Sequence, residues 1–499
     1  MVAWPQLSQG PVWQARSWSG RMLRVEQEKV RTAVGARWSD EILPSLAGLV
    51  EIPALSPAFD PAWAASGQLD AAVEHVRAWI GRRALPGART DVIRLPGRSP
   101  LLLVDVPATA GASGRGTVLL YGHLDKQPPV GGWAEGLGPW HPVFRDGRLY
   151  GRGAVDDGYA GYAATAALEA VHVAGGQHAR AVMLLETGEE SGSPDLPAYM
   201  EHLADRLGEV TFVVCLDGGG GDYERMWLTS SLRGLVSLTV TVRVLDSAQH
   251  SGLASGIVPS SFRVMRLLLD RLEDAATGEV KLGEMTVAIP PDRVAEAAAV
   301  AALDPGAVHW RYPLVTGMRT AAEDDAELIL NNTWRPTLSV IGAAGLPEPA
   351  EAGNVLRAWT ALRLSFRTPP TADAKAAADA VAKILTTDVP YGAAVELSGI
   401  VAEDGWNAPA LAPWLADALT QADDRVFGTP YRSLGIGGSV PFMGLLGRLY
   451  PEAQLLITGA LGADSNAHVP DEWLNIRFAE QITESVAYLL DAHARQPQR

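Results

Sequence analysis

Thr117-Val118-Leu119-Leu120-Tyr121-Gly122-His123-Leu124-Asp125 joins an apolar run to a polar turn. A short uninterrupted apolar run is the pattern of a strand buried on both faces. Polar residues directly after such a strand stand at the carboxyl end of a sheet, where open α/β sheets bind ligands. The pattern recurs. Residues 181–185 form a second apolar run, soon followed by Glu186, Glu189 and Glu190, and residues 212–216 form a third, followed by Asp217-Gly218. Residues 159–171, Ala-rich and free of Pro, read as a helix between the first two runs. Short apolar strands separated by helices predict an α/β domain, a mostly parallel sheet with helices on both faces.

The texture changes near Ser231. Residues 235–244 alternate apolar and polar, as expected of a half-exposed antiparallel strand. A helix over 259–274, strands over 337–341 and 361–367, and an Ala-rich helix over 372–385 follow. This block predicts a smaller inserted α+β domain over 231–400, dividing the catalytic α/β domain into 1–230 and 401–499. Residues 454–457 read as a last strand of the first sheet, and residues 1–40, weakly patterned, as an arm or first helix.

The 499 residues carry a formal charge of −16, which argues against nucleic acid or an anionic membrane as partner. Hydrophobic residues at 47% and charged residues at 20% fit a folded globular chain rather than a disordered one. No apolar run approaches the length of a membrane span. The N-terminus lacks the apolar core of a secretion signal, so a cytoplasmic protein is expected. The single cysteine, Cys215, rules out an intramolecular disulfide and reads as a small buried hydrophobe.

Metal-ligand residue types recur in these turns: His123 and Asp125, Asp156 and Asp157, Glu189 and Glu190, Asp217, and far downstream Asp464 and His468. Each alone has an ordinary explanation, a structural hydrogen bond or a solvated loop. Two histidines with several carboxylates, in loops or at strand ends, suit Zn²⁺ or another divalent ion.

In this order the segments resemble the M20 metallopeptidases, and within them the carnosinase-like dipeptidases. The signatures are Gly122-His123-Leu124-Asp125, Tyr150-Gly151-Arg152-Gly153 leading to Asp156-Asp157, Glu189-Glu190-Ser191-Gly192-Ser193, Asp217-Gly218, His250-Ser251-Gly252 and His468, across about residues 40–490. The resemblance implies a lid domain that is inserted into the catalytic domain and makes a homodimer. It implies two divalent ions, Zn foremost and Mn or Co as options. His123, Asp156 and Asp217 would bind one ion, and Asp156, Glu190 and His468 the other. Asp125 would accept the remaining ring N–H of His123, and Glu189 would act as general base. The peptide bond between Asp156 and Asp157 would be cis. His250 would stabilise the oxyanion, reaching the site from the partner subunit. Arg367 would grip the substrate carboxylate, with Gly438, Ser439 and Asn354 also contacting substrate. The implied reaction is hydrolysis of a peptide bond in small peptides, dipeptides foremost, by a metal-activated water. An N-acyl, N-carbamoyl or N-succinyl amino acid amidohydrolase would use the same chemistry.

Three departures bear on the substrate pocket rather than on the ligands. Gly158-Tyr159 replaces the family's Lys-Gly, and the segment from Asn354 to Arg357 lacks a common proline. Lys126-Gln127-Pro128-Pro129 follows the first histidine, with Trp133 and Trp140 nearby as candidates to favour a bulky or aromatic substrate side chain.

Overall fold

The computed structural model describes residues 25–438 and 441–496. Of the expected N-terminal arm it describes the helix Gln27–Arg37; residues 1–24 lie outside the described residues.

The three apolar runs form the strands Thr117–His123, Arg180–Glu186 and Val210–Cys215. They lie in a six-stranded sheet, in the order Arg89–Ile93, Leu101–Val106, Arg180–Glu186, Thr117–His123, Val210–Cys215, Gln454–Ile457. The last four strands are mutually parallel, and the first two add an antiparallel hairpin along one edge. Alternation along each strand builds two cores. Val118, Leu120, Met183, Leu185, Phe212 and Val214 pack under the helices Ala160–Val173, Pro413–Val426 and Ile476–Ala494. Leu119, Tyr121, Val182, Leu184, Val213 and Cys215 face Leu196–Leu207 and Pro441–Leu449. The fold is therefore the expected α/β architecture with helices on both faces, and Cys215 is a buried free thiol within the second core.

The period-two stretch forms Gly234–Arg243 in a four-stranded antiparallel sheet, ordered Thr337–Ala344, Trp359–Thr368, Gly234–Arg243, Ala394–Glu403. Val236, Leu238, Val240 and Val242 pack against the helices Ser261–Leu269 and Ala374–Thr386. Ser237 and Thr239, on the other face, accept hydrogen bonds from Arg363 of the neighbouring strand. The first helix is shorter than its sequence pattern. Ser260 caps it by accepting from the Arg263 N–H, and beyond its end Asp274 turns the chain by accepting from the N–H groups of Ala276 and Thr277.

A small sheet of Trp406–Asn407, Trp227–Leu232 and Arg432–Ile436 lies where the chain leaves for the four-stranded sheet and returns from it. A Cβ at Gly234 would sit 2.4 Å from Thr368 Oγ1 and 2.5 Å from the Glu403 carbonyl oxygen, so only glycine lets the two passages run this close. Among the described residues, no helix is long and apolar enough to cross a membrane.

Candidate active site and metal centre

The parallel strands end at His123, Glu186, Cys215 and Ile457, and the site is assembled at and just beyond these ends. The sheet pairing continues a step further: Leu124 N–H donates to the Glu186 carbonyl and Leu216 N–H to the Tyr121 carbonyl. His123 and Asp217 thus leave the sheet side by side. His123 is fully buried, and its Nε2 lies 3.3 Å from Asp156 Oδ1, 3.9 Å from Glu189 Oε2 and 3.9 Å from Asp217 Oδ2.

Asp156 has its other oxygen on the opposite side. Oδ2 lies 2.8 Å from His468 Nε2, which is also 3.2 Å from Glu190 Oε2. One carboxylate therefore faces both histidines, one oxygen each. The Asp156–Asp157 peptide bond is cis. Ligand atoms of His123, Asp156 and Glu190 come within 4.8 Å of one another, as do those of His123, Glu189 and Asp217.

Asp125 lies beside His123 and also holds the glutamate turn. Its backbone carbonyl lies 3.1 Å from His123 Nδ1, closer than its carboxylate at 3.5 Å. The carboxylate accepts the N–H groups of Glu189 (3.2 Å) and Glu190 (3.0 Å), holding the turn that carries both glutamates. Gln127 Nε2 donates to Glu190 Oε2 at 2.6 Å.

The electrostatics fit a cation site. Asp156, Glu189, Glu190 and Asp217 crowd one buried pocket, and among the described residues no lysine or arginine forms an ion pair with any of them. Burial, reinforced by neighbouring carboxylates, pushes the carboxyls of Glu189 and Asp217 well above their usual range; the His123 ring opposes this. Burial also favours the protonated form of Asp156, but hydrogen bonds from His123 and His468 outweigh it and hold Asp156 well below its usual range. Asp157 Oδ1 is buried with no hydrogen-bond partner. Imidazole and carboxylate donors with surplus negative charge suit a divalent metal ion.

The other expected substrate residues belong to other segments of the chain. His250 pairs in register with Val355 and accepts from the Gly252 N–H, and the Asn354 carbonyl accepts from the Ser251 N–H. Backbone pairing thus sets the segments of His250 and Asn354 side by side, and no hydrogen bond or ion pair among the described residues joins either residue to the cluster. Arg367 lies on the four-stranded sheet, opposite Leu235 and Thr337. Gly438 follows Gly437, whose carbonyl accepts from Arg233 Nε at 3.0 Å. Ser439 lies outside the described residues.

Several residues support the cluster in ways the sequence reading did not assign to them. Tyr159 Oη donates to the Leu216 carbonyl at 2.5 Å and accepts from the Ala460 N–H at 2.9 Å, so the tyrosine that departs from the usual motif tethers the segment before Asp217. Lys126 Nζ donates to the carbonyls of Leu49 (2.7 Å), Val50 (3.2 Å) and Ile52 (2.8 Å) at the end of the helix Leu43–Val50. Burial lowers its pKa to about 7. Trp140 lies beneath this ammonium and Trp133 beside Arg152, so both rings already have cationic neighbours. Glu472, four residues beyond His468, binds Arg152 and the Gly153 N–H. The contacts of Tyr159, Lys126 Nζ and Glu472 with the main chain join segments far apart in the chain, so residue spacing does not reveal them.

The chain matches the model of peptidase family M20/M25/M40 over residues 119–493. It is 25% identical over 379 residues to a cysteinylglycine-S-conjugate dipeptidase of Corynebacterium striatum, covering 75% of this chain and 80% of that one. It is 26% identical over 374 residues to a β-Ala-His dipeptidase of Homo sapiens, covering 72% and 71%. The solved structure of human carnosine dipeptidase 1 shares the fold, with a TM-score of 0.73 at 22% identity over 94% of this chain and 99% of that one.

If His468 is a metal ligand, as the sequence resemblance implies, it gives the site a pH dependence. Burial pulls its proton affinity down, but Asp156 and Glu190 outweigh this and raise its pKa to about 11 in the metal-free protein. A metal ligand needs the neutral ring, so binding must expel that proton together with those on the raised carboxyls. Metal affinity should therefore rise with pH between 6 and 8, with roughly one or more protons released per ion near pH 7. Calorimetry in buffers of different ionisation enthalpy reads this number; an enthalpy independent of buffer would contradict the assignment.

Proposed function

The chain belongs to peptidase family M20/M25/M40, and from that premise we propose that it is a di-metal dipeptidase whose shared ligand is Asp156. The observation carrying this reading is the split of the Asp156 carboxylate, one oxygen toward His123 and the other toward His468. In this reading His123, Asp156 and Asp217 hold one ion, and Asp156, Glu190 and His468 hold the other. The ions supply Lewis acidity, lowering the pKa of water and polarising the scissile carbonyl.

The protein's own groups do the rest. Glu189 lies 3.9 Å from His123 Nε2, on a turn whose backbone Asp125 fixes. Burial and its neighbours raise its proton affinity, which suits a group that takes a proton from the attacking water and passes it to the leaving amine. Asp125 keeps both glutamates and His123 in register. His468, with 53% of its side chain exposed, marks the open side through which substrate would enter.

The dipeptide assignment is supported by the names of the two curated relatives described above and by a cationic district for a substrate carboxylate. Arg233 is buried, and that burial, with the nearby charge of Arg367, lowers its pKa to about 10. Arg233 ties the Gly437 carbonyl to Thr337 beside Arg367, so the arginine and the glycine loop of Gly438 form one unit. Arg367 grips the carboxylate in this reading, with Gly438, Ser439 and Asn354 completing the pocket.

The segment 231–400 is the lid, and a homodimer through it would bring His250 to the oxyanion. Leu253 and Ile257, beside His250, are 77% and 81% exposed, and Val340 and Ile341 on the edge strand Thr337–Ala344 are 50% and 62% exposed. Apolar side chains this open fit cover by a second copy.

Glu189→Gln should keep two bound ions and lower kcat on dipeptides by about 10²–10⁴-fold. Metal analysis beside a panel of dipeptides and N-acyl amino acids checks this. An unchanged kcat removes Glu189 from its role, and turnover confined to N-acyl amino acids replaces the substrate class. Mixing Glu189→Gln with His250→Ala, each inactive alone, should restore activity in heterodimers. Failure to complement, with heterodimers present, would remove His250 from the neighbouring subunit's site.

A further inference from the structure

The loop that presents His468 is not one the backbone adopts by local preference. Asp464, Asn466, His468 and Asp471 all have left-handed φ values, from 57° to 67°. Four such non-glycine residues within eight persist only where surrounding contacts over-determine them. Trp473 Nε1 donates to the Asp464 carbonyl at 2.6 Å and Tyr223 Oη to the Ala463 carbonyl at 2.9 Å, and beside His468 itself the loop is held by Arg152 and Glu472.

Arg152 and Glu472 have side chains only 1% and 0% exposed, with Arg152 Nη1 2.5 Å from Glu472 Oε2. Both partners also act beyond the pair. Arg152 Nη2 donates to the carbonyl of Val469, the residue after His468, at 3.1 Å. Glu472 Oε1 accepts the N–H groups of Gly153 (2.9 Å) and Val155 (3.4 Å), the latter directly before Asp156. The Glu472 carbonyl accepts the Gly151 N–H at 2.9 Å. Outside this core, Ala134 N–H donates to Asp471 Oδ1 at 2.9 Å. One buried ion pair thus grips the turn before Asp156 and the loop around His468, segments more than 300 residues apart.

We propose that Arg152 and Glu472 are positioning residues that hold His468 opposite Asp156, so that the ion shared by Asp156, Glu190 and His468 depends on this clamp more than does the ion beside His123 and Asp217. The proposal rests on the two-ion reading above. The planar guanidinium is needed because one face must serve a carboxylate and a carbonyl together, which an ammonium does less well. Glu472 is needed because its two oxygens divide between the cation and the backbone N–H groups.

The test uses the full chain. Arg152→Met removes the fork and keeps most of the stem; Glu472→Gln keeps an acceptor for Gly153 and Val155 and removes the charge, and stands in if the first variant fails to fold. In metal-free protein, hydrogen exchange of residues 462–473 should accelerate in either variant, while the strand Thr117–His123 stays protected. Zn²⁺ titrated against a competing chelator should show one ion weakened roughly 10–100-fold and the other nearly unchanged. His468→Ala should give the same pattern. With Co²⁺, the absorption added by the second equivalent should disappear at concentrations that saturate the wild type. Unaltered exchange in 462–473 together with two wild-type Zn²⁺ affinities overturns the clamp. A wild type that binds fewer than two Zn²⁺ overturns the two-ion reading instead, and the exchange data then decide the clamp.

Discussion

The structure depends on the burial of several like charges around one carboxylate. Asp156, Glu189, Glu190 and Asp217 meet where water is scarce, and the only cationic groups paired with them among the described residues are two histidines, one on each oxygen of Asp156. Such an arrangement is costly in a metal-free fold, because isolated carboxylates resist both desolvation and each other's company. It becomes favourable once divalent ions neutralise it. The family to which the chain belongs provides the context in which that cost serves hydrolysis.

The fold meets this demand by placing rigid supports behind every contributing segment. The parallel strands deliver His123 and Asp217 side by side. Asp125 ties the glutamate turn to the first strand's end, and Tyr159 tethers the residues before Asp217. Lys126 satisfies the last carbonyls of a neighbouring helix, and Arg152 with Glu472 joins the Asp156 and His468 loops. The site's polar groups are thus positioned largely by hydrogen bonds to main chain, which fix geometry with few degrees of freedom. The side of the cluster left open is that of His468, the most exposed member.

Much of this was legible in the sequence, for identifiable reasons. The parallel strands are apolar on both faces, so Val118, Val182 and Val213 stand within unbroken runs that announce them. The four-stranded sheet is covered on one face, so Val236, Leu238, Val240 and Val242 alternate with polar residues. Histidines and carboxylates at the ends of those runs were visible as candidate ligands before any geometry. The edge strand Arg89–Ile93 was not, because it is largely polar and half exposed. Glu472 and Tyr159 were invisible as supports: their partners lie hundreds or tens of residues away, and a buried tyrosine or glutamate has no periodic signature. Asp125 was placed beside His123, but its stronger use, gathering the Glu189 and Glu190 N–H groups, depends on a turn whose path spacing does not specify. Among the described residues His250 and Asn354 form no hydrogen bond or ion pair with the cluster, so their expected roles cannot be read from its geometry.

The central claim is that Asp156 is shared between two ions. An anomalous-difference map from crystals grown with Zn²⁺, collected on both sides of the zinc absorption edge, tests it most directly. The account predicts two peaks, one contacting His123 and Asp217 and the other Glu190 and His468, with one oxygen of Asp156 on each. A single peak, or two peaks of which Asp156 touches only one, would contradict it.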